Sequence, residues 1–303
     1  MRDTFRPGGG AVYEILAREE LAENVCRYLV RAPLIAKKWR PGQFVIVRSD
    51  EYCERVPLTV VEADLDAGSI TLLIQAVGAS TRRLCSVPAG GSWLDVAGPL
   101  GQPTHIPYSG TIACVAGGVG IAAVLPIARS LKEKGDRIWT FYGARRSDLL
   151  LLAGEIESIS ERYLAATEDG SAGVKGFVTD ALRAELEQGH RPDAALTAGP
   201  LPMMEAVAEL TRPYDIPTLA SLNPIMIDGT GMCGGCRVQV GGKIKFACVD
   251  GPEFDAHQVD FKALRLRLAM YREEEKIMSE QCRLREVLGA SAADQQGAPD
   301  SVR

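Results

Sequence analysis

The chain has 303 residues, of which 46% are hydrophobic and 24% are charged, with a formal net charge of −5 and a pI near 5.4. Nucleic-acid binding depends on concentrated positive charge, so this composition argues against it. No apolar run approaches the ~20 residues of a membrane-spanning helix, and the N-terminus lacks the apolar core of a secretory signal. We therefore expect a cytoplasmic protein of two or three domains.

Residues 1–105 form the first predicted domain. Short stretches rich in Val, Ile and Thr, such as FVIVRS, LTVVEADL and SITLLIQAV, are separated there by turns that contain Pro or Gly. Short apolar runs joined by close turns are typical of an antiparallel barrel or sandwich. We predict an antiparallel β-barrel.

Two segments of this barrel are suited to a phosphorylated ring compound. In RVPLT, the fork of Arg55 can hold a phosphate while the backbone and a hydroxyl group contact a flat ring, although an exposed strand arginine is the commoner explanation. In QAVGAST, a glycine and two hydroxyl residues precede a predicted helix, where free N–H groups favour a pyrophosphate. An ordinary Ser N-cap is the alternative for this second segment.

Residues 106–218 form the second predicted domain. The stretch TIACVAGGVGIAAVLPIARSLKEKG indicates a buried strand, a glycine turn and an amphipathic helix, and strands and helices continue to alternate up to residue 218. This alternation is typical of a doubly wound parallel α/β sheet with right-handed crossovers.

Two glycine turns of the second domain are candidates for contact with a nucleotide. The turn GGVGI follows the first predicted strand, and AGPLPMM follows a later one. Ligands of doubly wound sheets bind outside the carboxyl ends of the strands, where glycines let the backbone approach a dinucleotide. The pattern is not G-x-G-x-x-G, so the usual fingerprint is absent, and a tight packing turn is the alternative.

Residues 219–261 contain a cysteine-rich loop. Cys233, Cys236 and Cys248 have C-x2-C-x11-C spacing, and Asp228 lies five positions before the first cysteine. This is the plant-type iron–sulfur spacing with an aspartate in the first position. Thiolates prefer soft metals, and the four glycines among these residues allow a tight loop. The sequence therefore predicts an iron–sulfur cluster.

Structural zinc is the alternative for this loop, since Asp is also an acceptable zinc ligand. A disulfide is disfavoured because three clustered cysteines supply no evident pairing. Cys282 could replace Asp228 as the fourth ligand if the C-terminal segment, 262–303, folded back. That segment is predicted to be a charged helix with a disordered tail.

The segments RVPLT, VGAST, GPLGQP, AGGVGIA, YGAR and AGPLPMM occur in an order that resembles the ferredoxin–NADP reductase superfamily, and within it the electron-transfer subunits of dihydroorotate dehydrogenase. The resemblance extends through Asp260. The aspartate-first cluster loop and FACVDGPEFDAHQVDF, followed by YREEE, are most similar to the small (alpha) subunits of NADH-dependent reduced ferredoxin:NADP oxidoreductases, also called sulfide dehydrogenases.

This resemblance implies three cofactors, which are FAD, a [2Fe–2S] cluster and NAD(H), with NADP(H) as an alternative nucleotide. The residues that it assigns to FAD are Arg55, Pro57, Leu58, Thr59, Gly78, Ser80 and Thr81. Those that it assigns to the nicotinamide nucleotide are Gly117, Gly118, Gly120, Ile121, Gly199, Pro200 and Met203. The cluster ligands would be Asp228, Cys233, Cys236 and Cys248. One departure is Ala198, where many superfamily members have a cysteine beside the nicotinamide.

The implied function is electron transfer between NAD(H), FAD and the [2Fe–2S] cluster to a large iron–sulfur flavoprotein partner, linked indirectly to ferredoxin and NADP. Electron bifurcation would occur at the partner's flavin. The alternatives are a dihydroorotate dehydrogenase subunit, disfavoured because that family uses four cysteines, a zinc-stabilised flavoprotein reductase without a cluster, and a non-catalytic assembly subunit. Arg145 and Arg146 are suited to a 2′-phosphate or to solvent, and the resemblance favours NAD(H).

Overall fold

The structure, a computed structural model, describes residues 13–278 and residue 280. Its N-terminal part is a nearly closed antiparallel barrel sheet. The strands are β1 (Tyr13–Ala22), β2 (Val25–Arg31), β3 (Phe44–Arg48), β4 (Val56–Asp64), β5 (Ser69–Gln75), β6 (Ser92–Trp93) and β7 (Asp95–Leu100). Their order in the sheet is β6-β1-β2-β5-β4-β3-β7. Two short helices accompany them, α1 (Pro33–Lys38) and α2 (Ala79–Cys85).

Tyr28 and Trp93 anchor the barrel core. Both side chains are fully buried, and their ring centroids lie 5.0 Å apart. The Tyr28 hydroxyl donates hydrogen bonds to the carbonyl groups of Leu84 (3.0 Å) and Val87 (2.9 Å). Because Leu84 belongs to α2, these bonds fix that helix, and the VGAST turn before it, against the barrel.

The central part of the chain forms a parallel sheet flanked by helices. Its strands are β8 (Thr111–Gly117), β9 (Arg137–Ala144), β10 (Arg162–Thr167), β11 (Val174–Lys175), β12 (Ala194–Ala198) and β13 (Thr218–Ser221). The helices are α3 (Ile121–Glu133), α4 (Ala153–Ile159), α5 (Val178–Glu187) and α6 (Leu201–Thr211). Every residue of β8 is buried, as expected for a strand covered on both faces. The predicted barrel and doubly wound sheet are thus confirmed.

The cluster segment adds a hairpin, a sheet edge and two helices. These are β14 (Arg237–Val240), β15 (Lys243–Phe246), α7 (Ala247–Asp250), β16 (Glu253–Asp255) and α8 (Phe261–Leu268). β16 pairs antiparallel with β13, which gives the order β11-β10-β9-β8-β12-β13-β16. The predicted boundary at residue 218 coincides with the first residue of β13, so residues on both sides of it share one sheet. The domain boundaries themselves stay predictions.

Residues 272–278 are helical again after a turn at 269–271, which interrupts the C-terminal helix. Cys282 and the predicted tail lie outside the described residues. Across 13–278 and 280, we find no helix that is both long and apolar enough to cross a membrane.

Two buried clusters join the three parts of the chain. Val61 of β4 and Leu73 of β5 pack in the same cluster as Ile121, the first residue of α3. Phe44 and Ile46 of β3 share another cluster with the cysteine-rich segment. The barrel therefore contacts both the first glycine turn and the cysteine loop.

Candidate redox site

The first four residues of β4, Val56–Thr59, are half-buried, whereas Val60 and Val61 that follow are buried. Arg55, just before the strand, is exposed. The backbone N–H of Glu54 donates to the Ser80 hydroxyl at 3.2 Å. The fold therefore brings the RVPLT and VGAST segments together, and a half-buried apolar strand beside an exposed arginine suits a flat phosphorylated cofactor.

The Thr81 hydroxyl has a local role. It accepts hydrogen bonds from the backbone N–H groups of Val77 (3.0 Å) and Gly78 (2.9 Å), which closes the turn before α2. The side chains of Ser80 and Thr81 thus hold the turn in shape. Contact of either residue with FAD stays a prediction.

The two glycine turns of the parallel sheet lie against each other. A Cβ atom added to Gly120 would lie 2.2 Å from the carbonyl oxygen of Ala198, and one added to Gly117 would lie 2.5 Å from the Met203 sulfur. Gly199 has φ +153°, and its added Cβ would meet the Gly117 Cα at 3.0 Å. Glycine is required here because the backbones themselves are in contact.

Other residues assigned to the nucleotide differ in what their side chains can contact. Ile121 is fully buried in the core, so only its backbone can face a ligand. Pro200 packs against Gly117. The Tyr142 hydroxyl, on β9, donates a hydrogen bond to the Gly118 carbonyl at 3.1 Å, which holds the first glycine turn against the neighbouring strand. The two turns therefore form one rigid wall at the carboxyl ends of β8 and β12, the edge at which such sheets bind ligands.

The cysteine loop brings two of the four predicted ligands together. Cys236 and Cys248 are buried, and their sulfur atoms are 3.1 Å apart. Cys233 is exposed, and its sulfur accepts the N–H of Gly235 at 3.4 Å. Within the part of the chain that the structure describes, no three His, Cys, Asp or Glu side chains converge as a metal site.

Asp228 is bound to the backbone of its own loop. Its carboxylate accepts N–H groups from Thr230 (2.9 Å) and Cys233 (2.7 Å). These hydrogen bonds, that from Thr230 first, lower the pKa of Asp228, so the group is an anion at neutral pH. The Cys233 side chain also contributes a hydrogen bond that lowers this pKa, so the carboxylate lies beside that thiol.

The donor set suits an iron–sulfur cluster. Backbone N–H groups point at the sulfur atoms, with Cys248 donating to the Cys236 sulfur at 3.4 Å. Gly229, Gly231 and Gly234 all have positive φ, which only glycine adopts readily. Burial, with Cys236 next to it, raises the pKa of the Cys248 thiol to about 12, so a bound cation is needed to hold it as a thiolate.

The loop rests directly on the barrel. A Cβ atom on Gly229 would lie 2.5 Å from the Leu100 Cδ1 and 3.1 Å from the Ile46 Cδ1. Ile46 belongs to β3, which pairs with β4 through Ile46 and Pro57. The cysteine loop and the half-buried start of β4 are therefore separated by a single strand.

Comparison with known proteins identifies the family. A Thermotoga maritima protein named as a dihydroorotate dehydrogenase B (NAD(+)) electron transfer subunit homolog is 46% identical over 273 residues, covering 90% of this chain and 96% of its own length. The chain belongs to the family of dihydroorotate dehydrogenase B electron-transfer subunits and their homologues.

Other members and a solved structure agree with this assignment. A probable dihydroorotate dehydrogenase B (NAD(+)) electron transfer subunit from Methanopyrus kandleri is 33% identical over 223 residues, which cover 74% of this chain and 82% of the length of that protein. A chain from the structure of an NADH-dependent reduced ferredoxin-NADP oxidoreductase is 45% identical, with a TM-score of 0.84 over 90% of this chain and 99% of its own.

The family assignment extends to two parts of this electron-transfer subunit. Residues 114–209 match the oxidoreductase NAD-binding domain, and residues 223–260 match the iron–sulfur cluster binding domain of dihydroorotate dehydrogenase B. The predicted family is confirmed, and the chain is an NAD(P)H-dependent oxidoreductase subunit. The individual cofactor-binding and ligand residues stay predictions.

Sequence reasoning missed one residue of this subunit, Glu253. Its two carboxylate oxygens accept hydrogen bonds from the Thr104 and Ser221 hydroxyl groups, both at 3.0 Å. These partners come from the segment after β7 and from β13, so the carboxyl group lies where the barrel, the parallel sheet and the cluster segment meet. No local pattern identifies it, because its two hydroxyl partners come from two distant parts of the chain.

Burial raises the pKa of Glu253 from its usual 4.5 to about 7. Because the pKa of this carboxyl group is raised in the folded state, the protein loses stability as the pH rises from about 4.5 to about 7. We expect Glu253→Gln to remove this dependence, so that near pH 8 the variant is more stable than the wild type by up to about 3 kcal/mol. Urea unfolding at pH 5 and pH 8 measures it, and an equal stability difference at the two pH values would contradict the expectation.

Proposed function

We propose that this subunit passes electrons between NAD(H), FAD and a [2Fe–2S] cluster to a large iron–sulfur flavoprotein partner, in a ferredoxin- and NADP-linked electron-bifurcating transhydrogenase. The observation that carries the proposal is the contact of Gly229 with Ile46 and Leu100, one strand away from the half-buried start of β4. A cluster in this loop would be close to a flavin on β4, so that single electrons can pass between them.

The order of the sites suits the chemistry. A nicotinamide delivers two electrons as a hydride, an iron–sulfur cluster accepts one at a time, and a flavin converts between them. The first glycine turn and the start of α3 lie against β4 and β5, whose Val61 and Leu73 share a buried cluster with Ile121. The two glycine turns and the cysteine loop therefore contact different strands of the barrel. The start of β4, on which we place the flavin, lies between them.

The carboxylates around Arg146, which follows β9, favour NAD(H) over NADP(H). Arg146 is exposed, but Asp148 binds its guanidinium through two hydrogen bonds of 3.0 and 2.8 Å. Glu23 lies 4.0 Å away and Asp169 is also near enough to raise the pKa of Arg146 further. A cation surrounded by carboxylates is poorly placed to attract a 2′-phosphate.

Removing one of these carboxylates is expected to relax the nucleotide preference. In Asp148→Asn, the Arg146 guanidinium loses its bidentate partner and becomes available to a 2′-phosphate. We expect kcat/KM for NADPH to rise about tenfold while that for NADH changes less than about twofold. Steady-state dye reduction with both nucleotides measures this, and Asp66→Asn, on the β4–β5 turn, is the control. An unchanged ratio of kcat/KM for NADPH to kcat/KM for NADH would show that Arg146 does not determine the nucleotide preference.

Anaerobic titration of the purified chain tests the proposal. We expect a flavin spectrum that NADH bleaches at lower concentration than NADPH, about two irons per chain, and reduction of artificial dyes. The single chain should not catalyse ferredoxin-dependent NADP reduction, because that step belongs to the partner. A colourless protein after reconstitution, or full coupled activity without a partner, would contradict the proposal. Zinc in place of iron would favour the flavoprotein reductase without a cluster.

The second candidate is a subunit of a dihydroorotate dehydrogenase. The match of residues 223–260 to the cluster-binding domain of that enzyme favours it. Asp228 in the first ligand position favours the transhydrogenase. Mixing the chain with a dihydroorotate dehydrogenase catalytic subunit and measuring NADH formation from dihydroorotate separates the two.

A further inference from the structure

Glu253, the first residue of β16, is a titratable group that the proposed electron transfer does not use. Its carboxylate accepts hydrogen bonds from the hydroxyl groups of Thr104 and Ser221, which are neutral donors. No cation of the residues that the structure describes contributes to its pKa. Carboxylates inside proteins are ordinarily paired with a cation, so this one is poorly compensated when it is ionised.

Glu253 is attached to the cysteine loop by a short segment. Residues 249–252 alone separate it from Cys248, and Gln102 holds this segment in place. The Gln102 side chain donates a hydrogen bond to the Val249 carbonyl at 2.8 Å, and its backbone N–H donates to the Gly251 carbonyl at 2.6 Å. The carboxyl group is therefore fixed relative to the loop that carries the predicted cluster ligands.

The same segment packs near the proposed flavin strand. A Cβ atom added to Gly101 would lie 2.9 Å from the Phe44 Cε1 and 3.1 Å from the Pro252 Cδ. Phe44 on β3 is paired with Thr59 on β4, and directly opposed residues of antiparallel strands point to the same side. Both ends of the proposed electron route, β4 and the cysteine loop, are therefore close to the segment that carries Glu253.

The titratable groups on the surrounding segments leave Glu253 without a counterion. β13, which pairs with β16, contains no charged residue. Asp250 lies 3.8 Å from the Lys245 amine, and Asp255 accepts the His257 N–H at 2.9 Å. On the barrel side, the titratable residues next to Pro41 and Thr104 are exposed; they are Arg40 and His105. A proton is thus the positive charge open to this carboxylate.

We propose that Glu253 binds one proton from solvent when the cluster in the cysteine loop accepts one electron. The inference rests on the proposed function and adds a proton to its one-electron step. The electron comes from NADH by way of the flavin, and the proton bonds to a carboxylate oxygen, so the net charge of the region is unchanged. Glu253 is half-buried, which leaves a proton access from solvent. Nearby net charge sets the reduction potential of a cluster, so the protonated residue favours the reduced form.

Redox titration of the cluster at pH 6, 7.5 and 9 tests this coupling. The full chain is loaded with its cofactors, and the cluster is followed by electron paramagnetic resonance. Proton and electron binding are reciprocally linked, so the wild-type cluster should bind its electron about fivefold more tightly at pH 6 than at pH 9. Glu253→Gln retains the side-chain shape but cannot ionise, so its cluster potential should not vary over this range.

Thr104→Val gives a readout that a purely structural role would not produce. Burial raises the pKa of Glu253, and the hydrogen bonds from Ser221 and Thr104 lower it. Loss of the Thr104 hydroxyl should therefore move the pH dependence of the cluster potential to higher pH without abolishing it.

Asp255→Asn is the matched control, because it exchanges a carboxylate for an amide two residues along the same strand. Its cluster potential should vary with pH as in the wild type. The reduced-minus-oxidised infrared difference spectrum at pH 7.5 should show a band of a protonated carboxyl group in the wild type and in Asp255→Asn. That band should be absent in Glu253→Gln.

Two results would overturn the coupling proposal: a wild-type cluster potential that does not vary with pH, or a pH dependence that Glu253→Gln retains in full. Either result, from a chain that holds iron and that NADH bleaches, would leave the proposed function standing. Absence of iron or of bleaching in the wild type would instead refute the proposed function, and the coupling with it.

Discussion

Replacing Cys248 with serine is expected to remove the cluster and stop electron delivery to one-electron acceptors. The Cys248 sulfur is buried 3.1 Å from that of Cys236, and a serine oxygen there is a hard, poorly ionised donor for iron. We expect iron to fall from about two per chain to almost none, and cytochrome c reduction by NADH to fall at least about 100-fold. Metal analysis and stopped-flow bleaching measure the two effects, and bleaching by NADH should persist.

The control for this experiment is Cys26→Ser. Cys26 is 3% exposed in the barrel, away from the cysteine loop, so the variant tests the general effect of losing a buried thiol. Its iron content should equal that of the wild type. Asp228→Ala extends the test to the fourth ligand, and normal iron content with an unchanged visible spectrum in that variant would exclude Asp228 from the cluster.

Adding one methyl group at Gly120 is expected to abolish productive NADH binding. The new Cβ would lie 2.2 Å from the Ala198 carbonyl oxygen and 2.8 Å from the Gly199 Cα, both backbone atoms that cannot move aside without opening the wall between the two turns. A displacement of about 1 Å in a positioned site costs about 100-fold in rate, so we expect kcat/KM for NADH to fall at least that much in Gly120→Ala. Stopped-flow flavin reduction at varied NADH concentration measures it.

Gly154→Ala is the matched control, because a Cβ built at Gly154 in α4 meets no atom within 4 Å beyond its chain neighbours and the backbone of its own helix. It should reduce its flavin at the wild-type rate, and both variants should retain flavin and iron. Normal NADH kinetics in Gly120→Ala would show that the two turns do not form the nucleotide wall.

Local patterns predicted most of the fold. The run RIWTFYGA coincides with β9, and the glycine turn after TIACVAG lies between β8 and α3. These predictions hold because alternation of strand and helix periods is a property of neighbouring residues. The charged C-terminal helix was less well predicted, since a turn at 269–271 interrupts it although its sequence is helical in period throughout.

The candidate site was predictable only where its chemistry lies in one short segment. Cysteine spacing alone selected Cys233, Cys236 and Cys248, but it did not indicate that two of them are buried together while the third is exposed. From sequence, Arg145 and Arg146 are suited to a 2′-phosphate, although paired arginines on a loop are usually solvated. Only the structure places Asp148, Glu23 and Asp169 around Arg146.

The sequence by itself determined which residues of the loop are the predicted cluster ligands, the positions where only glycine fits, and the succession of barrel, parallel sheet and cysteine segment. Spacing and residue type specify these features because each depends on neighbours along the chain. The tertiary structure alone decided that Gly229 packs on the barrel, that Glu253 accepts hydrogen bonds from both Thr104 and Ser221, and that β16 extends the sheet. Such contacts join residues far apart in the chain, and only the packing of whole elements selects them from the many pairs that the sequence allows.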